Sequence, residues 1–194
     1  MRIMKAKRAI IFLLAIGLMV VVTGCARWPN GPEPEPETEY QLEITVEVAG
    51  EINSYNGIYY IVLDADEESI DGPGDDLFFW DDDFYYIKLE NDFFDFTQVE
   101  EGSPELDLTD YSYSENELQV TIALSDLGSP ISIDINVITT DSDNNTYDHL
   151  DGYFTINTTV LGSTVTGEDS AGDSGDGEAD FDIVKVTAVV TTLY

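Results

Sequence analysis

Apolar and polar side chains alternate from Tyr40 onward. Tyr40, Leu42, Ile44, Val46 and Val48 fall on one parity, and Gln41, Glu43, Thr45 and Glu47 on the other. That period of two predicts a strand with one buried and one wet face. "GIYYIVLDA", residues 57–65, is instead apolar throughout, which suits a central strand buried on both faces. "FYYIKLE" and "DFFDFTQ" are joined through "END" and predict a hairpin. Alternation returns at Leu118, Val120, Ile122 and Leu124, and at Ile131, Ile133, Ile135 and Val137. A further strand is expected within 153–159, and "FDIVKVTAVVTTL" closes the chain.

No apolar period of 3.6 residues persists for three turns. "LSDLG", 124–128, offers at most one helical turn. The pattern therefore predicts an all-β fold: an antiparallel β-sandwich, jelly-roll or immunoglobulin-like, of about seven to nine strands. "TGEDSAGDSGDGEAD", 166–180, has no large apolar residue and reads as a long flexible loop before the last strand.

The first 39 residues have a different texture. Arg2, Lys5, Lys7 and Arg8 precede "AIIFLLAIGLMVVV", 14 residues without a polar side chain. That is the length of a signal-peptide apolar region and short of the roughly 20 residues of a membrane span. The run ends in Val22-Thr23-Gly24-Cys25, which resembles the lipobox of bacterial lipoproteins. The resemblance covers residues 1–25. It implies cleavage before Cys25 and its acylation with diacylglycerol, with palmitate-type chains held in membrane lipid. Cys25 is the only cysteine of the chain, so no disulfide competes for it. "ARWPNGPEPEPETEY" follows, and its four prolines favour an extended tether. The expected organisation is a signal peptide over 1–24, lipidated Cys25 and tether over 25–39, and a β-sandwich over 40–194. The implied location is extracytoplasmic, anchored to the bacterial cell membrane or outer membrane.

Charge sharpens this picture. The chain has 7 Lys+Arg and 40 Asp+Glu. Removal of the signal leaves three bases, Arg27, Lys88 and Lys185, a formal charge of 3 − 40 = −37. Nucleic acid is excluded as a partner, because it demands a basic footprint. Such repulsion opposes compaction unless salt screens it.

Two acidic loops have calcium-like spacing. In "LDADEESIDGPGDD", Asp64, Asp66 and Glu68 sit at positions one, three and five, with Asp71 and Asp76 able to fold back through Gly72-Pro73-Gly74. Crowded carboxylates need a counter-charge, and Ca²⁺ supplies it with oxygen ligands. Asp64, Asp66, Glu68, Asp71 and Asp76 are the predicted metal ligands, set against a plain solvated loop. Asp141, Asp143 and Asn145 repeat the spacing, with Asp148 beyond. "GDSG", 172–175, resembles the nucleophile motif of trypsin-like serine proteases, but Asp176 breaks the pattern. His149 is the only histidine and lacks the setting of a catalytic base. No pair of acids is marked as catalytic, and the domain is expected not to be an enzyme.

Nine aromatic residues fall between Phe78 and Phe96. Alternation cannot bury them all, and rings beside carboxylates suit a glycan surface as well as a core. Trp80, Tyr85 and Tyr86 are the candidate ligand-binding residues. "IYYIVLDAD" and "NELQVTIALSDLGSPISIDINVITTDSD" resemble carbohydrate-binding, DOMON-like sandwich modules, with Ile122 to Gly128 carrying most of the likeness. The proline of that family's segment is replaced here by Ala123-Leu124. The resemblance implies a sandwich fold and a glycan ligand. The leading expectation is a lipid-anchored, non-catalytic binding domain for carbohydrate. Its rivals are a structural or assembly lipoprotein contacting envelope proteins and, third, a glycan-acting hydrolase.

Overall fold

The computed structural model describes residues 39–66, 72–74, 77, 80–174 and 177–192. Among these, eleven strands form two antiparallel sheets facing each other as a sandwich, and the compact unit they belong to runs from Thr38 to Tyr194. The strands are β1 (Tyr40–Val48), β2 (Ile58–Asp64), β3 (Tyr85–Glu90), β4 (Phe93–Gln98), β5 (Asp110–Ser114), β6 (Glu117–Ala123), β7 (Ser132–Thr140), β8 (Thr146–His149), β9 (Phe154–Asn157), β10 (Thr164–Glu168) and β11 (Ile183–Thr192). One sheet has the order β10-β11-β1-β6-β5. The other runs β4-β3-β2-β7-β8, with β9 also paired to β7.

Alternation places Leu42, Ile44, Val46 and Val48 of β1 inward, against Leu118, Val120 and Ile122 of β6 and Val186, Ala188 and Val190 of β11. From the facing sheet come Tyr59, Ile61 and Leu63, with Ile87, Leu89 and Phe96. Full burial of each such aliphatic side chain contributes about 1.5–3 kcal/mol. Phe181 closes one end of this core. It stacks on Tyr59 at 5.4 Å and packs on Tyr147 at 5.0 Å. Gly57 lies against it so closely that a Cβ there would stand 2.4 Å from the Phe181 ring and 2.6 Å from the Thr140 carbonyl oxygen.

Every residue of β2 is buried, because its outer face is covered as well. Ile58, Tyr60, Val62, Phe84 and Ile138 form a second apolar cluster there, roofed by Leu77, Trp80 and Val99. The Asn136 side chain donates to the Pro73 carbonyl (2.9 Å) and holds this cover down.

The β3–β4 hairpin turns through Asn91 and Asp92, both at positive φ (51° and 66°). That is the two-residue turn whose twist matches paired strands. Leu124–Leu127 forms the expected single turn, of 3-10 type, ended by Gly128 at φ 79°.

Two expectations need correction. Among the described residues the strand number is eleven, because β5, β8 and β10 are short edge strands with too few buried positions to show alternation. The segment 166–180 is not wholly loop. Thr166 to Glu168 belong to β10 and pair with Lys185 to Thr187, and Ala179–Phe181 forms a 3-10 turn.

Candidate functional site

Among the described residues, aromatic rings gather where the edge strands β4 and β5 come together. Phe94 of β4 points between the sheets and packs on Tyr111 (4.7 Å) and Tyr113 (6.3 Å) of β5. Phe93 is 73% exposed, Tyr55 69% and Tyr111 56%. Asp92, in the hairpin turn just before Phe93, is bound by Ser54, Tyr55 and Tyr113. Its Oδ1 accepts hydrogen bonds from the hydroxyls of Ser54 (2.8 Å) and Tyr113, and its Oδ2 accepts from the hydroxyl of Tyr55. Ser54 is fixed in return, accepting the Asp92 amide at 3.1 Å on Oγ and the Asn91 amide at 2.7 Å on its carbonyl oxygen.

The three hydroxyl donors, Tyr113 foremost, hold the Asp92 carboxyl below the ordinary carboxylate range. The same bonds to Asp92 raise the Tyr55 and Tyr113 hydroxyls. At neutral pH the site is therefore an anion ringed by neutral phenols. A carboxylate offers roughly four lone-pair positions, so about one remains for a ligand, together with the unused lone pairs of the phenolic oxygens. Such a group can accept hydrogen bonds and present ring faces. It is a poor proton donor, which general acid catalysis would need.

No base stands ready for an anionic ligand among the described residues. Lys88 is held by Glu90 (3.2 Å) and Asp95 (3.1 Å), and Lys185 by Glu47.

The residues singled out in the sequence are divided by the fold. Trp80 and Tyr86 come together on the outer face of β2 and β3, each packed on Tyr60 (5.6 and 6.0 Å) and 6.2 Å apart. Trp80 donates its indole N–H to the Gly74 carbonyl at 3.2 Å. Tyr85 points to the opposite face, toward the main core, 6.3 Å from Phe96. All three are half-buried.

Asp64 ends β2, buried, and pairs across the strands with Asp134 of β7. Its Oδ1 accepts the Asp66 amide at 3.0 Å. Burial, with the charges of Asp66 and Asp134, pushes the Asp64 carboxyl up to about 6. Glu68, Asp71 and Asp76 lie outside the described residues, as does Cys25.

In the second acidic loop, the Asp141 carboxylate is consumed locally. It accepts the amides of Asp143 and Asn145 (both 2.8 Å) and the Asn145 side chain (2.7 Å). Ser174 of "GDSG" is buried and donates to the Glu178 carbonyl at 2.9 Å, so its hydroxyl serves the loop.

Comparison with family models, curated proteins and solved structures gives no match for this chain. The Asp92 group escaped sequence reasoning because it unites three separate segments, around Ser54, Asp92 and Tyr113. The positive-φ turn at "END" was its one local signal.

Proposed function

We propose that the protein is a lipid-anchored extracytoplasmic lipoprotein whose β-sandwich binds carbohydrate without chemistry. The observation that carries this reading is the exposed aromatic group around Asp92. Ring faces stack on the apolar faces of pyranoses, and an ionised carboxylate accepts hydrogen bonds from sugar hydroxyls. The engaged state of Lys88 and Lys185, in a chain with 40 acids, favours neutral glycans over uronates or sulphated sugars. The lipobox-like run supplies the anchor through Cys25, and the proline-rich segment supplies reach.

The full chain in mild detergent would be titrated calorimetrically with neutral glucose, mannose, galactose and xylose oligosaccharides. Binding by at least one, weakened about tenfold by Tyr111→Ala, is expected, equivalent to roughly 1.4 kcal/mol. Absence of heat across the panel at millimolar ligand, or affinity unchanged by Tyr111→Ala with Phe93→Ala, would overturn the carbohydrate reading.

A further inference from the structure

The two ends of the sandwich differ in surface. β1 begins beside the last residues of β11, since Tyr40 pairs with Thr192. The same end carries the loop 158–163 and the turn 128–131. The Gly162 amide donates to the Val190 carbonyl, and the Val190 amide to the Ser163 carbonyl, both at 2.9 Å. The Thr158 amide donates to the Ile131 carbonyl at 3.0 Å, and the Thr158 hydroxyl to the Pro130 carbonyl. The segments that meet here, 127–133, 152–167 and 186–192, contain none of the 40 acids.

Aliphatic surface collects at this end. Among the described residues, the large aliphatic side chains left exposed are Ile131 (56%), Val160 and Leu161 (both 55%). All three belong to these two loops. The backbone beneath them is answered locally. The Ser163 amide donates to the Val160 carbonyl at 2.9 Å, and the Asn157 side chain accepts the Thr159 amide at 3.0 Å. A turn whose polar groups are met internally can leave water at low cost.

Glu39, the first described residue, stands at the same end, where its carboxylate accepts the Ser125 hydroxyl at 2.7 Å. Cys25 lies 14 positions before it. Even an extended polyproline tether of that length reaches only about 45 Å.

We propose that this end of the sandwich rests on the lipid surface that holds the Cys25 acyl chains, with Val160 and Leu161 inserted at the boundary of headgroups and acyl chains and Ile131 beside them. The inference rests on the lipid anchor of the proposed function and not on its carbohydrate ligand. A tethered tip meets the bilayer in an intramolecular step, so a few apolar side chains suffice. Aliphatic groups bury themselves at that boundary, and acid-free segments approach anionic headgroups without repulsion. Exposed acids on neighbouring segments, among them Glu39, Asp66, Asp110 and Asp126, limit the depth of insertion. A second copy of the chain is the poorer occupant, because two bodies of such high negative charge repel each other.

The contact also sets the orientation of the domain. β2 pairs Asp64 with Asp134 toward the lipid end and Ile58 with Thr140 at the other. Ser54 and Tyr55 precede Ile58, and the Asn91–Asp92 turn follows Leu89, the partner of Tyr59. The Asp92 group is therefore presented away from the membrane.

The full acylated chain would be placed in phosphatidylcholine vesicles with an environment-sensitive, thiol-reactive dye at Leu161→Cys or, at the far end, at Glu51→Cys. Acylated Cys25 has no thiol to compete. The dye at 161 should shift its emission to the blue and lose intensity to lipids brominated in their acyl chains, and the dye at 51 should do neither. A dye at Ile131→Cys should be quenched too, and should lose most of that quenching when Val160→Ser and Leu161→Ser are combined, while the protein still floats with the vesicles. A dye at 161 as wet as that at 51, equal quenching of both, or quenching at 131 indifferent to the two serines would overturn the contact and leave the anchor standing. Shielding at 161 by crowded protein and not by lipid would give the tip to a second copy and overturn it as well. Wild-type protein that fails to float with vesicles would remove the anchor, and the contact with it.

Discussion

Asp64 offers a stability change whose sign and size follow from its position. It is buried at the end of β2, opposite Asp134, and its carboxyl is pushed from 3.8 up to about 6, chiefly by burial. Below pH ~3.8 the group is protonated in both folded and unfolded chains and costs nothing. Between that value and about 6 the unfolded chain releases the proton while the folded chain keeps it. Stability therefore falls as pH rises through this window, and the full cost stands above it. Roughly two pH units at 1.36 kcal/mol each is about 3 kcal/mol. Screening by nearby water reduces this to about 1–2 kcal/mol. Asp64→Asn abolishes the titration yet keeps an oxygen to accept the Asp66 amide. Urea unfolding in chelator, from pH 4 to 8, should show the two proteins coinciding near pH 4 and the variant ahead by about 1–2 kcal/mol at pH 8. A variant less stable throughout, or offset equally at every pH, would show that Asp64 ionises in the fold without penalty.

Three other outcomes are expected. Gly57→Ala drives a methyl into the Phe181 ring and the Thr140 carbonyl, and should cost about 1–3 kcal/mol in the same urea assay. Melting temperature in chelator should climb from low salt to about 1 M NaCl, as screening relieves repulsion among 40 acids, and a flat trace would show the charges too dispersed to matter. Metabolic labelling with a clickable fatty acid should mark the wild type and leave Cys25→Ser unlabelled, and equal labelling would remove the lipid anchor.

Strands that face two different environments announce themselves in the sequence. β1, β6 and β11 alternate because one side meets the core and the other water, and β2 is apolar throughout because both its faces are covered. β5, β8 and β10 have no such contrast to display. "DYSYS", "TYDH" and "TVTGE" sit at sheet edges, where backbone pairing on one side suffices. The aromatic cluster between Phe78 and Phe96 gave a count without directions. The fold sends Tyr85 toward the main core, Tyr86 and Trp80 to the outer face, and Phe94 to the edge beside β5. The acids were harder still. With 40 in the chain, spacing alone selects none, and only burial in the fold sets Asp64, Asp134, Asp148 and Asp182 apart from the rest of the described acids.

β1 lies between β6 and β11, with Ile44 paired to Ala188 on one side and to Val120 on the other. The first strand of the domain to leave the ribosome is thus completed by the last. Until β11 emerges, β1 keeps one edge open, and the core face of its sheet is short of Ile183, Val186, Ala188 and Val190. Such distant pairing slows folding, because a long loop must close before the contacts form. The sheet that holds β1 is therefore incomplete until β11 is made. Mutual repulsion among its acids, which burdens the finished sandwich, protects the waiting chain from association with its own copies.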